Sequence, residues 1–125
     1  MKLRLGLTML ALAVVGTGCG RHYEAHEVAN IRAAAGGTLN ASTLMVRVPE
    51  GAVLTAELTP FDNEDEPMES PEIAADDPDT LEVMRVSGGT EVHYAFIGRR
   101  VGETTVRFFA EGREVRRERG VVTER

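Results

Sequence analysis

Nine carboxylates lie between residues 62 and 79, a stretch that contains no lysine or arginine. They are Asp62, Glu64, Asp65, Glu66, Glu69, Glu72, Asp76, Asp77 and Asp79. Ca²⁺ takes about six to eight oxygen ligands and would relieve the repulsion among such charges. The candidate ligands are Asp62, Glu64, Asp65, Asp76, Asp77 and Asp79. An EF-hand loop starting at Asp62 would need glycine where Pro67 stands, so the pattern favours a solvated acidic loop over a metal site or a site for a basic partner.

His22 and His26 are four residues apart, which on a helix would place both imidazoles on one face, as zinc ligands often lie. Glu24 and Glu27 could complete such a site. The catalytic order H-E-x-x-H is absent because Tyr23 follows His22. Two solvated histidines are therefore the default interpretation, and no metal or other cofactor is predicted.

The residues that could serve nucleophilic catalysis are scattered. His93 falls on a strand face directed away from the predicted core, and Ser70 and Ser87 stand in loops without the signature of an activated nucleophile. No glycine-rich phosphate loop leads from a strand into a helix. The sequence thus predicts no catalytic residue and a protein that is not an enzyme.

Length and composition limit the classes of protein that remain. The chain has 125 residues, of which 42% are hydrophobic and 27% charged, as expected of one small domain. A single cysteine excludes an internal disulfide framework. The net charge is −6, and loss of the first 18 residues would make it −8 because Lys2 and Arg4 would go with them. A chain this acidic makes nucleic acid an unsuitable partner.

The first 18 residues have the order of parts found in a signal peptide. Lys2 and Arg4 precede an uncharged apolar run over residues 5–15, and small residues follow it. This run of 11 residues is too short to span a bilayer core, which needs about 20. The segment therefore predicts export with cleavage rather than a permanent transmembrane anchor.

The end of that run, Gly16-Thr17-Gly18-Cys19, resembles the lipobox of bacterial lipoproteins. The resemblance implies that Cys19 receives a diacylglyceryl group and becomes the mature N-terminus, so that the membrane is a partner through lipid. Two or more acyl chains give stable anchoring. Gly20 stands where the family's inner-membrane retention signal has Asp, which implies the outer membrane, with the domain facing the periplasm or the cell surface.

Residues 19–43 are predicted to contain the lipidated cysteine and a tether that lifts the domain off the membrane. A short edge strand over residues 28–32 fits this segment, and a helix over residues 24–35 ending at Gly36 is the alternative. From residue 44 to the end of the chain, apolar residues recur with a period of two, for example at Leu54, Ala56 and Leu58. Residues 44–125 are therefore predicted to form a β-domain.

Two hairpins are predicted within this domain. In the first, Gly88-Gly89 forms the turn and pairs Val83 with Tyr94 and Leu81 with Phe96, which places these four side chains on one core face. In the second, Glu111-Gly112 forms the turn.

The second turn would pair Phe108 with Val115, Phe109 with Glu114, and the like charges Arg107 and Arg116. The arginines at 116, 117 and 119 are typical of an exposed edge strand.

The spacing of the strands predicts an all-β fold, an antiparallel β-sandwich of six to seven strands following a cleaved signal peptide and a short tether. Residues 44–123 resemble the Ig-like domains of bacterial surface proteins. Three segments carry the resemblance: residues 58–68 (LTPFDNEDEPM), residues 73–78 (IAADDP), and residues 97–106, with Ile97-Gly98 and Val101-Gly102-Glu103-Thr104-Thr105-Val106.

The sequence thus predicts a lipid-anchored, non-catalytic Ig-like module of the cell envelope, acting by binding an envelope protein or by structural support. One alternative is a Ca²⁺-dependent protein or small envelope enzyme that uses residues 62–79. Another is an assembly factor that lends the edge strand within residues 113–123 to a partner.

Overall fold

The computed structural model describes residues 20–86 and 92–125, which form nine strands and no helix. The described residues therefore contain no apolar helix that could cross a membrane. The strands are β1 (Tyr23–Ala33), β2 (Thr38–Leu39), β3 (Val46–Pro49), β4 (Val53–Asp62), β5 (Glu72–Ala75), β6 (Leu81–Val86), β7 (His93–Gly98), β8 (Gly102–Ala110) and β9 (Arg113–Thr123).

Two sheets face each other across one core. The four-stranded sheet has the order β1-β4-β7-β6 and the five-stranded sheet the order β2-β3-β9-β8-β5. The predicted all-β sandwich is confirmed. Among the described residues, the predicted domain, residues 44–125, contains seven strands, β3 to β9, as predicted; the two further strands, β1 and β2, lie in the segment predicted as a tether. Every ladder is antiparallel except that between β3 and β9, which is parallel.

Period-two alternation in β4 places Leu54, Ala56 and Leu58 in the core, as predicted. Phe108 of the five-stranded sheet is fully buried against this face. Tyr94, on β7 beside β4, is 1% exposed. Burial raises the pKa of the Tyr94 hydroxyl to about 12. Among the described residues this hydroxyl has no hydrogen-bond partner.

The first hairpin keeps the predicted core face but not the predicted register. Val83 pairs with Phe96 instead of Tyr94, so the ladder is displaced by two residues. A displacement by two preserves the side to which each residue points. Leu81, Tyr94 and Phe96 are accordingly buried as predicted. The predicted turn at residues 88–89 lies outside the described residues.

The second hairpin follows the predicted register only near its turn. Phe109 pairs with Glu114 as predicted, but a β-bulge follows, and Phe108 then pairs with Arg116 instead of Val115. A bulge inserts one extra residue into one strand, which alternation alone does not reveal.

The bulge also changes the pairing of like charges. Arg107 lies opposite Arg117 instead of Arg116. Glu114 accepts hydrogen bonds from both, at 2.9 Å from Arg107 and 2.8 Å from Arg117. The repulsion that a like-charge pair would cause is offset by a shared carboxylate.

The prediction that the last strand is an edge is wrong for its second half. β3 pairs with Gly120–Thr123, and β8 pairs along the other side, so β9 lies between them. Lending residues 113–123 to a partner would remove an inner strand of the five-stranded sheet. In the four-stranded sheet the edges are β1 and β6.

The segment predicted as a tether is mostly a strand. β1 pairs with β4 from Tyr23 to Ala33, with register shifts near Ala25 and between Ala29 and Arg32. The alternative helix over residues 24–35 is wrong, and the edge strand is longer than residues 28–32. The shifts break the period of two, so β1 lacks the alternation by which the other long strands are recognised.

Gly98 marks a close approach between the two sheets. It ends β7, and a Cβ added there would lie 2.5 Å from the carbonyl oxygen of Pro49, which ends β3. That carbonyl accepts a hydrogen bond from Ala52, and Gly98 itself donates to the Ala52 carbonyl at 3.0 Å. These hydrogen bonds hold the Pro49 and Gly98 backbones close together, so neither can move away to make room for a side chain at position 98.

The substitution Gly98→Ala is therefore expected to lower the free energy of unfolding by about 1–3 kcal/mol, as overpacking does. Urea unfolding followed by circular dichroism measures the change. Gly37→Ala is the matched control because its Cβ would meet no atom closer than 3.4 Å. Equal midpoints for the two variants would contradict the close approach.

Candidate functional site

Asp62 ends β4 and closes the loop that follows it. Its carboxylate is buried and accepts hydrogen bonds from the backbone N–H of Glu64 at 2.8 Å and of Glu66 at 3.0 Å. Arg21 donates to the other oxygen. Burial alone would raise the pKa of Asp62, but the hydrogen bonds from Glu66, Arg21 and Glu64 outweigh it and hold the pKa below its usual value. This carboxylate shapes the loop.

Asp76 and Asp77 follow β5 and have a similar structural role. Arg107 forms two hydrogen bonds to Asp76, at 2.6 and 2.9 Å, and these lower the pKa of Asp76. Asp77 accepts from the Thr80 hydroxyl at 2.8 Å and from the Asp79 N–H at 3.1 Å. The Thr80 hydrogen bond is the largest cause of the lowered pKa of Asp77.

The structure does not gather the predicted metal candidates into one site. One group follows β4 in the four-stranded sheet and the other follows β5 in the five-stranded sheet. Within residues 20–86 and 92–125, no three His, Cys, Asp or Glu side chains converge as metal ligands would. The candidates in question are Asp62, Glu64, Asp65, Asp76, Asp77 and Asp79.

The two histidines considered for zinc lie in different surroundings. Their predicted common helix face does not exist, because His26 belongs to a strand and His22 precedes it. His22 is exposed, whereas His26 is 8% exposed and packs edge-on against Phe108, with ring centroids 5.1 Å apart. His26 is thus a core residue and not the solvated side chain predicted.

His26 is the inner member of a polar network that joins the two sheets. The Tyr23 hydroxyl lies 2.9 Å from His26 Nδ1, and Arg116 of β9 donates to the same hydroxyl at 3.3 Å. Because arginine can only donate, the hydroxyl accepts from Arg116, and the tautomer of His26 sets which of the two groups donates in the contact between the hydroxyl and Nδ1. Burial is the main cause that lowers the pKa of His26 to about 4, and the Arg116 charge adds to it.

Arg116 also holds the chain between β2 and β3. It donates to the carbonyl oxygens of Ser42 and Thr43 at 3.0 and 3.1 Å, and it pairs with Glu118 at 2.8 Å. Sequence reasoning placed Arg116 on an exposed edge. Counting back by twos from Val122, which is 1% exposed, gives the inward face for Arg116, but the sequence has valine at both 121 and 122 and does not by itself select that face.

The other residues considered for catalysis do not form a catalytic arrangement in the described part of the chain. His93 lies on the outer side of the four-stranded sheet as predicted, with Nε2 3.5 Å from Glu57. Ser70 occupies an exposed loop with a φ of 53°. Cys19 and Ser87 lie outside the described residues.

The outer faces of the two sheets differ in chemistry. On the five-stranded sheet, charged side chains are paired with one another, as in the Arg107, Glu114 and Arg117 group and the Arg119–Glu103 pair at 3.6 Å. Such a face is suited to water.

The outer face of the four-stranded sheet is more apolar. Val53, Met84 and Val86 are 41–47% exposed there. Glu57 on β4 and Glu82 on β6 lie on the same face. The larger apolar surface therefore lies on the four-stranded sheet.

The fold and the arrangement of its sheets define an Ig-like β-sandwich. The structure is similar to that of surface layer protein SbsC, domains 1–6, with a TM-score of 0.59 and 20% sequence identity over 89% of this chain and 14% of that chain. It is also similar to the crystal structure of domains 4 and 5 of the S-layer protein SbsC, with a TM-score of 0.52 and 18% identity over 87% of this chain and 55% of that chain.

Both neighbours are longer proteins of which this chain spans less than two thirds. At these identities the similarity is one of fold, and it confirms the predicted Ig-like sandwich. No protein-family model and no curated protein matches the sequence.

Proposed function

We propose that this chain is a lipid-anchored, non-catalytic Ig-like module of the cell envelope that acts by binding an envelope protein or by structural support. The signal-peptide pattern and the lipobox-like Gly16-Thr17-Gly18-Cys19 favour acylation at Cys19. The fold, shared with domains of a surface layer protein, suits a cell-surface module. Gly20 favours the outer membrane.

The observation that carries the proposal is the place at which the sandwich begins. β1 starts at Tyr23, four residues after Cys19. A cysteine just ahead of the first strand leaves the whole sandwich intact when residues 1–18 are removed and acyl chains are added. Folding and anchoring are then compatible.

The use of the polar residues supports a non-catalytic module. Asp62, Asp76 and Asp77 hold loops, and His26 holds the two sheets together. Each of these groups already has a hydrogen-bonding role in the folded chain. A structural role accounts for them without a substrate.

The substitution Cys19→Ser in the full chain, produced in a bacterial host, is expected to move the protein from the membrane fraction to the soluble fraction. Intact mass of the unsubstituted, membrane-bound protein should show loss of residues 1–18 and the addition of acyl chains. The acyl chains supply the anchoring free energy, about 0.8 kcal/mol for each buried CH₂.

Thr17→Ser is the control, since it keeps a small residue before an unchanged cysteine and should remain in the membrane fraction. A processed protein with a free Cys19 thiol and no added acyl mass would refute the anchor. A soluble Cys19→Ser variant with an unchanged circular dichroism spectrum separates loss of the anchor from loss of the fold.

A further inference from the structure

The chain is fixed to the sandwich almost up to Cys19. The His22 N–H donates to Asn63 Oδ1 at 2.8 Å, and the Asn63 N–H donates to the His22 carbonyl at 2.9 Å. One residue earlier, Arg21 pairs with the buried Asp62 carboxylate. Only Gly20 separates Cys19 from residues that the domain holds.

This attachment limits how far the sandwich can stand from the lipid. Two residue steps, from Cys19 to Arg21, span at most about 7 Å. That distance is shorter than the Debye length of about 8–10 Å at moderate salt. The end of the sandwich that holds Arg21 would therefore stay within electrostatic reach of the headgroups.

The end that holds Arg21 consists of the loop after β4 and the turn between β8 and β9. Glu64 and Glu111 both lie close enough to Arg21 to raise its pKa, although less than Asp62 does. The Glu111 N–H donates to the Glu69 carbonyl at 2.8 Å, which joins the loop to the turn. We call this the anchor end.

The C-terminus lies at the opposite end. β9 begins opposite Ala110, beside the anchor end, and its Thr123 carbonyl accepts a hydrogen bond from the N–H of Glu50 in the turn after β3. Eleven residues of strand at about 3.3 Å each give about 36 Å between the two ends.

We propose that the lipid on Cys19 holds the sandwich end-on, with the anchor end facing the bilayer headgroups and the C-terminus directed away from the membrane. The partner of the anchor end is thus a lipid headgroup surface. This inference rests on the proposed acylation of Cys19. It replaces the tether predicted within residues 19–43, which would have left the domain free to turn.

The charge of the anchor end sets how it meets the lipid. It carries six carboxylates and two arginines. They are Asp62, Glu64, Asp65, Glu66, Glu69, Glu111, Arg21 and Arg113. Anionic headgroups repel such an end, so the acyl chains provide the adhesion and the protein stays at the surface without inserting.

Energy transfer from a dye on the protein to acceptor-labelled lipids tests this orientation. The full chain, acylated by its bacterial host, is reconstituted in vesicles of phosphatidylcholine and phosphatidylglycerol. Cys19 is the one native cysteine and its thiol carries lipid, so a second cysteine can be labelled alone. Three exposed positions serve, in the variants Glu64→Cys, Met84→Cys and Glu124→Cys.

Transfer efficiency is expected to be highest at position 64 and lowest at position 124, differing by at least about twofold for ends about 36 Å apart. Equal efficiencies at 64 and 124 would overturn the end-on arrangement, and a maximum at position 84 would show that the sandwich lies on its side. Intact mass is measured on each sample. Absence of acyl mass counts against the proposed anchor, whereas equal efficiencies at 64 and 124, or a maximum at 84, with acyl mass present count against the orientation alone.

A linker variant tests the cause of the orientation. Inserting about 20 Gly and Ser residues between Gly20 and Arg21 adds a coil with an end-to-end distance of about 25 Å. The efficiencies at positions 64 and 124 should then approach each other. The same linker added after Arg125 is the control and should leave the difference unchanged. A difference that persists with the inserted linker would show that the short attachment does not set the orientation.

Discussion

Replacing Phe108 with alanine is expected to lower the free energy of unfolding by about 3–5 kcal/mol. Phe108 is fully buried, lies opposite Ile73 of β5 and contacts the His26 ring of the other sheet. Alanine would leave a cavity between the sheets. Small domains are stable by only about 5–15 kcal/mol, so the loss is a large share of the total.

Equilibrium urea unfolding followed by far-UV circular dichroism measures the loss. Phe109→Ala is the matched control, because Phe109 is the next residue of the same strand, points to the outer side and is half-buried. Its expected cost is below about 1 kcal/mol, in the range of surface substitutions. A cost for Phe108→Ala no larger than that of the control would contradict the placement of Phe108 in the core.

Local alternation predicted the buried faces but not all of the pairings. Leu81, Tyr94 and Phe96 were assigned to the core because directly opposed residues share a face, and a displacement by two leaves that assignment intact. The bulge between the Phe109–Glu114 and Phe108–Arg116 pairs adds one residue to β9 and reverses its alternation there. The alternation pattern therefore did not predict it. Faces are a local property, whereas register depends on the neighbouring strands.

Only residues 28–32 of β1 were predicted as a strand, because the pattern of β1 is irregular and its inward positions are partly polar. His26 stands where an apolar residue would signal a buried face, and Asn30 adopts a φ of 52° at a shift in register. What makes His26 suitable for the core is Tyr23 on its own strand and Arg116 from β9. Partners about ninety residues apart leave no local signal.

Acidification is expected to destabilise the sandwich between pH 6.5 and about 4 through His26. The pKa of His26 is about 4 in the folded protein, compared with 6.5 when unfolded. The unfolded chain therefore binds the proton first, and stability falls as the pH falls through this window. A shift of this size corresponds to a loss of about 3 kcal/mol, fully present below pH 4.

The carboxylates with lowered pKa act at lower pH, so the two contributions separate. Asp62, Asp76 and Asp77 stabilise the fold above their unfolded pKa, near 3.8, and lose that contribution only below it. A decline that begins at pH 6.5 is thus the mark of a histidine. Urea unfolding at half-unit steps from pH 7.5 to about 4 follows it.

The substitution His26→Phe tests whether the His26 ring causes this fall in stability between pH 6.5 and about 4. Phenylalanine keeps an aromatic contact with Phe108 and does not titrate, so stability should become nearly independent of pH in this window, whatever its absolute value. His22→Gln, at an exposed position just before β1, should keep the full slope. NMR titration of the His26 ring in the native protein gives the folded pKa directly, and a midpoint near 6.5 would contradict its burial beside Arg116.

With a midpoint near 4, protonation of His26 would place a positive charge beside the Arg116 guanidinium inside the core. The network that joins β1 to β9 would then be the first part of the sandwich to be destabilised by acid.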